Sequence, residues 1–369
     1  MKFSDDVIKN DEKAIFKLRT LYRKYGYKQY KMNKFEEYDL YLKNKDFLVS
    51  DGIITFNDTN GKLMALKPDV TLSIVKNSRD GELNKLYYSE NVYRLSHGTH
   101  LFKEIMQTGL ECIGNIDIYN ICEVVMLAAE SLKAISGNFV LDISHMGFVS
   151  AILNSVCDDE SVKDTIIDCI GKKNLHEIKE ICKNNNINSK ALEKLVSTYG
   201  NGEKVLSELK EIAAEYNIAD ELYELETINK FLTCAGLGNK INFDFSIVND
   251  MKYYSGVVFK GYIEEIYTSV LSGGEYTRLM RKMGKSSGAV GFAVYLDLLE
   301  RLNTTDKKYD ADSVILYDDG ADAAQLFAAV KLIADGGASV IALKDASGVK
   351  YKQLLKFNGK GVEIIETND

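Results

Sequence analysis

Lys85–Gly114, KLYYSENVYRLSHGTHLFKEIMQTGLECIG, is the stretch that decides the fold. An apolar run ends at Arg94, a polar loop follows, and a second apolar run closes the segment. Read as a strand, the second run places alternate residues on one face, so Gln107, Gly109 and Glu111 line up together. An amide and a carboxylate flanking a residue without a side chain describe a small notch. Glycine in a strand often marks the close approach of a ligand or of another backbone. Such a notch suits a cation the size of an amino acid.

Around this centre the chain has a helix pattern at 11–25, with Ile15, Leu18, Leu21 and Tyr22 at helical spacing and Gly26 as the stop. A weakly alternating strand is expected over 27–41. The segments 53–56 and 62–66 flank Asn60-Gly61, a strong hairpin signal. Pro68-Asp69-Val70-Thr71 opens a helix to about Lys76, where Asp69 has two readings, a cap on backbone N–H groups or a ligand contact. A helix is expected over 118–136 and a strand over 139–143. His145 follows that strand without a partnering nucleophile, and no catalytic role is assigned to it. Residues 158–235 are rich in Lys, Glu, Asn and Leu at helical spacing and read as a helical insertion whose charge runs are solvated faces. Residues 253–271 read as two strands joined at 260–263, with Tyr254 and Gly256 on one face. The tail reads strand, helix, strand over 312–343, with a last strand at 361–365. That order implies parallel pairing through a right-handed crossover.

At 369 residues the chain is expected to hold two or three compact units. Its 46% hydrophobic and 27% charged content is ordinary for a globular protein and argues against disorder. The net charge of −8 lowers the odds of RNA binding, which needs a basic surface. The first residues carry acidic side chains and no apolar h-region, against a secretory signal, and no apolar run approaches a membrane span. Six scattered cysteines without a C-x-x-C pair read as free thiols in a reducing cytoplasm. The four histidines offer no metal-ligand spacing, and His97 and His100 read as solvated loop residues. No cofactor and no metal are expected.

The Lys85–Gly114 stretch resembles motif 2 of class II aminoacyl-tRNA synthetases, the histidyl enzymes most closely. Three further segments extend the resemblance in the same order along roughly residues 10–302. LKPDVT at 66–71 resembles the stretch that presents an acid and a threonine to histidine. IVNDMKYYSGVVFK at 247–260 resembles the late signature with paired tyrosines, and GGEYTRLMRKMGKSSGAVGFAV at 273–294 resembles the approach to motif 3. The resemblance implies an α+β fold: a class II synthetase-like antiparallel sheet flanked by helices, with a helical insertion and a small α/β C-terminal domain. The implied boundaries are 1–157 and 236–307 for the two core parts, 158–235 for the insertion and 308–369 for a shortened anticodon-binding domain.

It also implies a histidine pocket. Asp69, Thr71 and Gln107 would engage the amino and carboxyl ends, and Glu111 and Tyr254 the imidazole, with Tyr253 and Tyr276 in the same wall. By strand propensity alone, Tyr253 and Tyr254 are equally core aromatics. Arg94 has two readings, contact with the ligand carboxylate or pairing with a pocket acid.

The departures from the family pattern carry the functional reading. The arginine of the late signature falls on Asn249, and the motif 3 arginine on Leu298, with Arg301 close by but, three residues further along a helix, pointing about 60° away. Two basic positions of the motif 2 loop fall near Leu101 and Lys103, and the motif 1 proline on Met32. Adenylate formation needs positive charge where negative charge develops. A retained histidine pocket without that charge is similar to the regulatory subunits of short-form ATP phosphoribosyltransferase, cytoplasmic paralogues of the synthetase. The resemblance then implies a non-catalytic role: activation of a catalytic subunit, feedback by L-histidine, and a homodimer within a hetero-octamer. A truncated histidyl-tRNA synthetase and a synthetase-like RNA-binding module are the alternatives.

Overall fold

The computed structural model describes residues 8–45, 48, 52–95, 101–248, 253–301 and 308–368. Asn249, His97, His100 and the side chain of Arg301 therefore lie outside the described residues. The chain divides into two compact units, Met1–Leu302 and Asn303–Asp369.

The first unit begins with α1 (Asn10–Lys24), which buries Ala14, Leu18 and Tyr22. Asp11 and Glu12 in its first turn and Arg23 and Lys24 in its last complement the helix dipole. Next come β1 (Lys28–Gln29) and β2 (Phe35–Glu37). The single strand expected over 27–41 is thus broken, and its end forms a short helix, α2 (Tyr38–Lys43). Tyr41 is fully buried from that helix, which tertiary packing favours over a weakly alternating strand. β3 (Thr55–Asn57) and β4 (Leu63–Leu66) form the hairpin expected around Asn60-Gly61. Gly61 takes φ +80°, and Asp58 Oδ1 accepts the N–H groups of Asn60 and Lys62 at 2.8 Å. β2, β4 and β3 make a small antiparallel sheet.

α3 (Thr71–Asn77) precedes the two long strands β5 (Asn84–Leu95) and β6 (Phe102–Gly114). α4 (Ile118–Ile135), β7 (Phe139–His145) and α5 (Met146–Val156) follow. Five helices come next: α6 (Glu160–Gly171), α7 (Leu175–Asn184), α8 (Lys190–Ser197), α9 (Gly202–Tyr216) and α10 (Ala219–Cys234), with β8 (Tyr199–Gly200) between α8 and α9. Then come β9 (Ile241–Asp244), β10 (Val257–Ile263), β11 (Leu271–Glu275), α11 (Thr277–Lys282), β12 (Gly288–Tyr295) and a 3₁₀ turn, Leu296–Arg301. The strand expected to end at 260 continues to Ile263, and the connection falls at 264–270.

Nine strands form one sheet in the order β1-β5-β6-β12-β11-β10-β7-β9-β8, antiparallel from β5 through β7. Two adjacent rows across it explain what the sheet does. Leu110, Phe292, Gly273, Phe259, Ile143 and Phe243 stand opposite one another on successive strands. They pack into a core with Val124, Leu127, Ala128 and Leu132 of α4. One residue along, the row reads Glu111, Gly291, Gly274, Val258, Ser144. Because side chains alternate, this second row faces the other way, toward α3 and the small sheet. One face is core and the other is the floor of a site.

The second unit holds β13 (Ala311–Leu316), α12 (Ala323–Asp335), β14 (Val340–Leu343), β15 (Tyr351–Phe357) and β16 (Val362–Thr367). β13 pairs in parallel with β14, as the crossover rule requires. β15, which the sequence reading lacks, pairs in parallel with β13 and antiparallel with β16. The small core is Ile315, Leu355 and Phe357, covered by Leu326, Ala329, Val330 and Ile333 of the helix.

Candidate functional site

The site is assembled where β4 runs into α3. Lys67 is fully buried, and its ammonium pairs with Glu90 on β5. Its carbonyl accepts the Tyr93 N–H at 2.9 Å. These bonds hold the next residues, Pro68 to Thr71, against the sheet. The Pro68 carbonyl accepts Arg94 Nε at 2.8 Å. Asp69 Oδ1 accepts the Leu72 N–H at 2.8 Å, so Asp69 does cap the helix start. Its second oxygen lies 3.9 Å from Arg94 Nη2. The capping reading of Asp69 therefore holds through one oxygen, and its other oxygen faces Arg94. Burial raises its carboxyl, opposed by the Arg94 charge and the N–H groups of Leu72 and Thr71.

Glu111 is the centre. It is 2% exposed and accepts Thr71 Oγ1 at 2.8 Å and the Tyr276 hydroxyl at 2.6 Å. Burial pushes its carboxyl up to about 8, against the pull of those two hydrogen bonds, and the Asp69 charge adds to the rise. The carboxylate lies over Gly291, where any Cβ would overlap Oε2. Beside it, the Tyr254 ring lies over Gly274, and a Cβ there would come within 2.7 Å of Cδ1. Tyr253 packs edge-on to Tyr254 with ring centroids 4.8 Å apart, and against Tyr276 at 5.7 Å. Burial raises the Tyr253 phenol, and the Asp69 charge adds to that. Gln107 is buried on the same strand face as Glu111, and its Nε2 has no hydrogen-bond partner. A buried donor left unmade is costly.

The structure thus gathers Asp69, Thr71, Arg94, Gln107, Glu111, Tyr253, Tyr254 and Tyr276 around one face of the sheet. Two local expectations change. The space over Gly109 is filled by the Tyr88 phenol, whose oxygen would lie 2.6 Å from a Cβ there. Tyr88 stands directly opposite Gly109 on β5, and the Phe292 carbonyl would lie 2.3 Å from the same Cβ, so the glycine admits a neighbouring strand's backbone and a ring, not a ligand. The space at Gly256 is filled by the Glu275 carboxylate, and the vacancy beside Tyr254 is Gly274. Tyr88 and Tyr41 are wall residues that sequence reasoning missed. Tyr88 shares parity with Arg94 along β5, a signal that was available. Tyr41, whose buried hydroxyl has no partner and lies within electrostatic reach of Asp69, gave none. Leu298, to which the sequence resemblance assigns the motif 3 arginine, packs partly against the core from a 3₁₀ turn.

The raised Glu111 carboxyl has a consequence for stability. The folded state keeps a proton that the unfolded chain releases above its ordinary value of 4.5. The contribution of neutral Glu111 is complete below that pH. It declines by up to about 1.4 kcal/mol per pH unit and is gone once the pH passes through about 8. Glu111→Gln keeps the shape without the titration. Urea unfolding from pH 5 to 9 should show the wild type losing stability relative to this variant, and parallel curves would refute the assignment.

No helix among the described residues is long and apolar enough to cross a membrane, and no group of three or more His, Cys, Asp or Glu among them could hold a metal ion. A profile of the histidyl-tRNA synthetase family matches residues 4–299. The ATP phosphoribosyltransferase regulatory subunit of Clostridium acetobutylicum is 26% identical over 359 residues, covering 93% of this chain and 88% of that one. The crystal structure of an ATP phosphoribosyltransferase regulatory subunit/histidyl-tRNA synthetase from Bacillus halodurans C superposes with a TM-score of 0.73 at 25% identity, covering 94% and 93% of the two chains. A chain of the ATP phosphoribosyl transferase (HisG:HisZ) complex from Thermotoga maritima shares the fold, with a TM-score of 0.60 at 20% identity over 78% of this chain and 97% of that one.

Proposed function

The chain belongs to the histidyl-tRNA synthetase family, and on that premise we propose that it is a regulatory subunit of ATP phosphoribosyltransferase that binds histidine and does not activate it. What supports this reading is a buried polar cluster at the positions of the amino-acid site, together with a sequence resemblance that puts no arginine at two phosphate-facing positions. Glu111 is held by Thr71 and Tyr276 over a glycine floor, and Gln107 offers a free donor. The family's two arginine positions are Asn249 and Leu298. Neither residue offers a cation to the charge that develops as ATP is attacked.

Histidine enters with its α-ammonium toward Asp69 and its carboxylate toward Gln107 Nε2 and Arg94. The imidazole lies against Tyr254 and shares a proton with Glu111. A buried carboxyl that meets a ring nitrogen favours histidine over amino acids that lack one, because their binding would leave Glu111 without its partner. Feedback follows if histidine binds the less active arrangement of the complex better than the active one. The partner is a short-form catalytic subunit, joined in the cytoplasm by homodimers of this chain in a hetero-octamer, without a role for tRNA.

The test is the phosphoribosyltransferase activity of a short-form catalytic subunit, with and without this protein, across a histidine titration. Activation together with new or altered histidine inhibition is the expected result. No effect on activity and no complex on a sizing column would overturn the reading. Histidine-dependent exchange of pyrophosphate into ATP would replace it with a synthetase.

A further inference from the structure

The reverse face of the same strands carries a second buried polar cluster, which the pocket does not use. His145 ends β7 and is also the N-cap of α5, where its Nδ1 accepts the Phe148 N–H at 3.2 Å. That bond makes Nδ1 an acceptor and leaves Nε2 to face the other way. There it lies 3.5 Å from Glu224 Oε2 on α10. His145 Nε2 and Glu224 Oε1 are both shielded from water without a hydrogen-bond partner. Glycines let the groups close in. A Cβ on Gly147 would meet His145 Cε1 at 2.9 Å and Glu221 Cγ at 3.2 Å, and one on Gly256 would overlap Glu275 Oε2. Glu275 accepts Thr277 Oγ1 at 2.8 Å and lies within electrostatic reach of His145, Glu224 and Arg281.

Main-chain bonds tie this cluster to the pocket. Met146 N–H donates to the Gly256 carbonyl, and Ser255 N–H to the Glu275 carbonyl, both at 2.8 Å. Tyr254 precedes Ser255, and Tyr276 follows Glu275. Helix capping alone does not explain a carboxylate from a separate helix on the far side of the ring, since asparagine caps as well.

We infer that His145 is a positioning residue: through Glu224 it clamps α10 to the end of β7 and so sets the backbone that carries Tyr254 and Tyr276 for the ligand. This inference rests on the histidine reading of the pocket.

Two substitutions separate the roles of the ring. His145→Asn keeps a cap acceptor but cannot reach Glu224, whereas His145→Gln reaches but caps poorly. If His145 positions the tyrosines, histidine affinity follows reach: it falls about fivefold or more in His145→Asn and is largely retained in His145→Gln. Thermal stability follows the cap and ranks the two the other way. Glu224→Ala should weaken histidine similarly, and the double variant with His145→Asn should be little worse than either single one. Affinity that simply tracks stability would overturn the inference. A second arm needs no ligand. Amide exchange at Met146 and Ser255 should quicken in Glu224→Ala. Unchanged exchange overturns the clamp. Faster exchange in a protein that binds no histidine keeps the clamp and removes the pocket's proposed ligand instead.

Discussion

Glu111→Ala is expected to weaken histidine binding by at least about a hundredfold. The carboxylate is the meeting point of three groups: the Thr71 hydroxyl, the Tyr276 hydroxyl and, in the proposed complex, the imidazole of the ligand. A hydrogen bond to a neutral group contributes about 0.5–1.5 kcal/mol, and a buried donor left without an acceptor costs about 1–3 kcal/mol more. The Thr71 and Tyr276 bonds are present in the free protein as well, so the bond to the imidazole is the one that counts toward binding, and losing it with its donor left unpaired amounts to about 3 kcal/mol. The same substitution also relieves a buried carboxyl of its desolvation, so the free protein should not unfold. Isothermal titration calorimetry with histidine, next to an unfolding curve of the free variant, separates lost binding from lost structure. Unchanged affinity in a folded Glu111→Ala protein would refute the pocket.

Gly291→Ala is expected to be nearly as damaging from the opposite side. The added methyl group would overlap Glu111 Oε2 and lie 2.6 Å from the Leu110 carbonyl. The carboxylate can swing away, but the main-chain carbonyl belongs to the β6–β12 ladder and cannot. Overpacking of this kind typically costs about 1–3 kcal/mol of stability. Moving Glu111 also breaks its bonds to Thr71 and Tyr276, so histidine binding should fall by an order of magnitude or more even where the protein remains folded. A melting curve and a histidine titration on one preparation test this. Wild-type values in both would mean that the glycine is not the floor of the site.

What the sequence made legible is what depends on local period. The parity of Gln107 and Glu111, the Asn60-Gly61 hairpin, the α1 and α4 stripes and the β13–α12–β14 crossover all follow from spacing along one segment. What it left unread depends on which strand lies beside which. Gly109 looks like a ligand notch until β5 is placed opposite it and Tyr88 fills the space. Gly256 looks like a vacancy beside Tyr254 until β11 delivers Glu275 to it. Register is a property of the assembled sheet, so a glycine in one strand cannot announce what occupies its missing side chain. Tyr38–Lys43 was misread for the same kind of reason: burial of Tyr41 overrides a weak local alternation. The resemblance to a known family supplied the chemistry of Asp69, Thr71 and Tyr254, which spacing alone left open between capping, core and ligand contact.

The row Glu111, Gly291, Gly274 has a meaning for how such a protein can change. Its floor is bare main chain, and neither glycine accepts a side chain without colliding with the carboxylate, the Tyr254 ring or a strand carbonyl. The walls are different: they come from α2, α3, the 253–254 segment and Tyr276, each on its own stretch of chain. Divergence is therefore confined to the rim. If the pocket holds an amino acid as proposed, a scaffold with a fixed floor and exchangeable walls could pass from activating it to sensing it through changes at the edge, while the surface on which it rests stays the same.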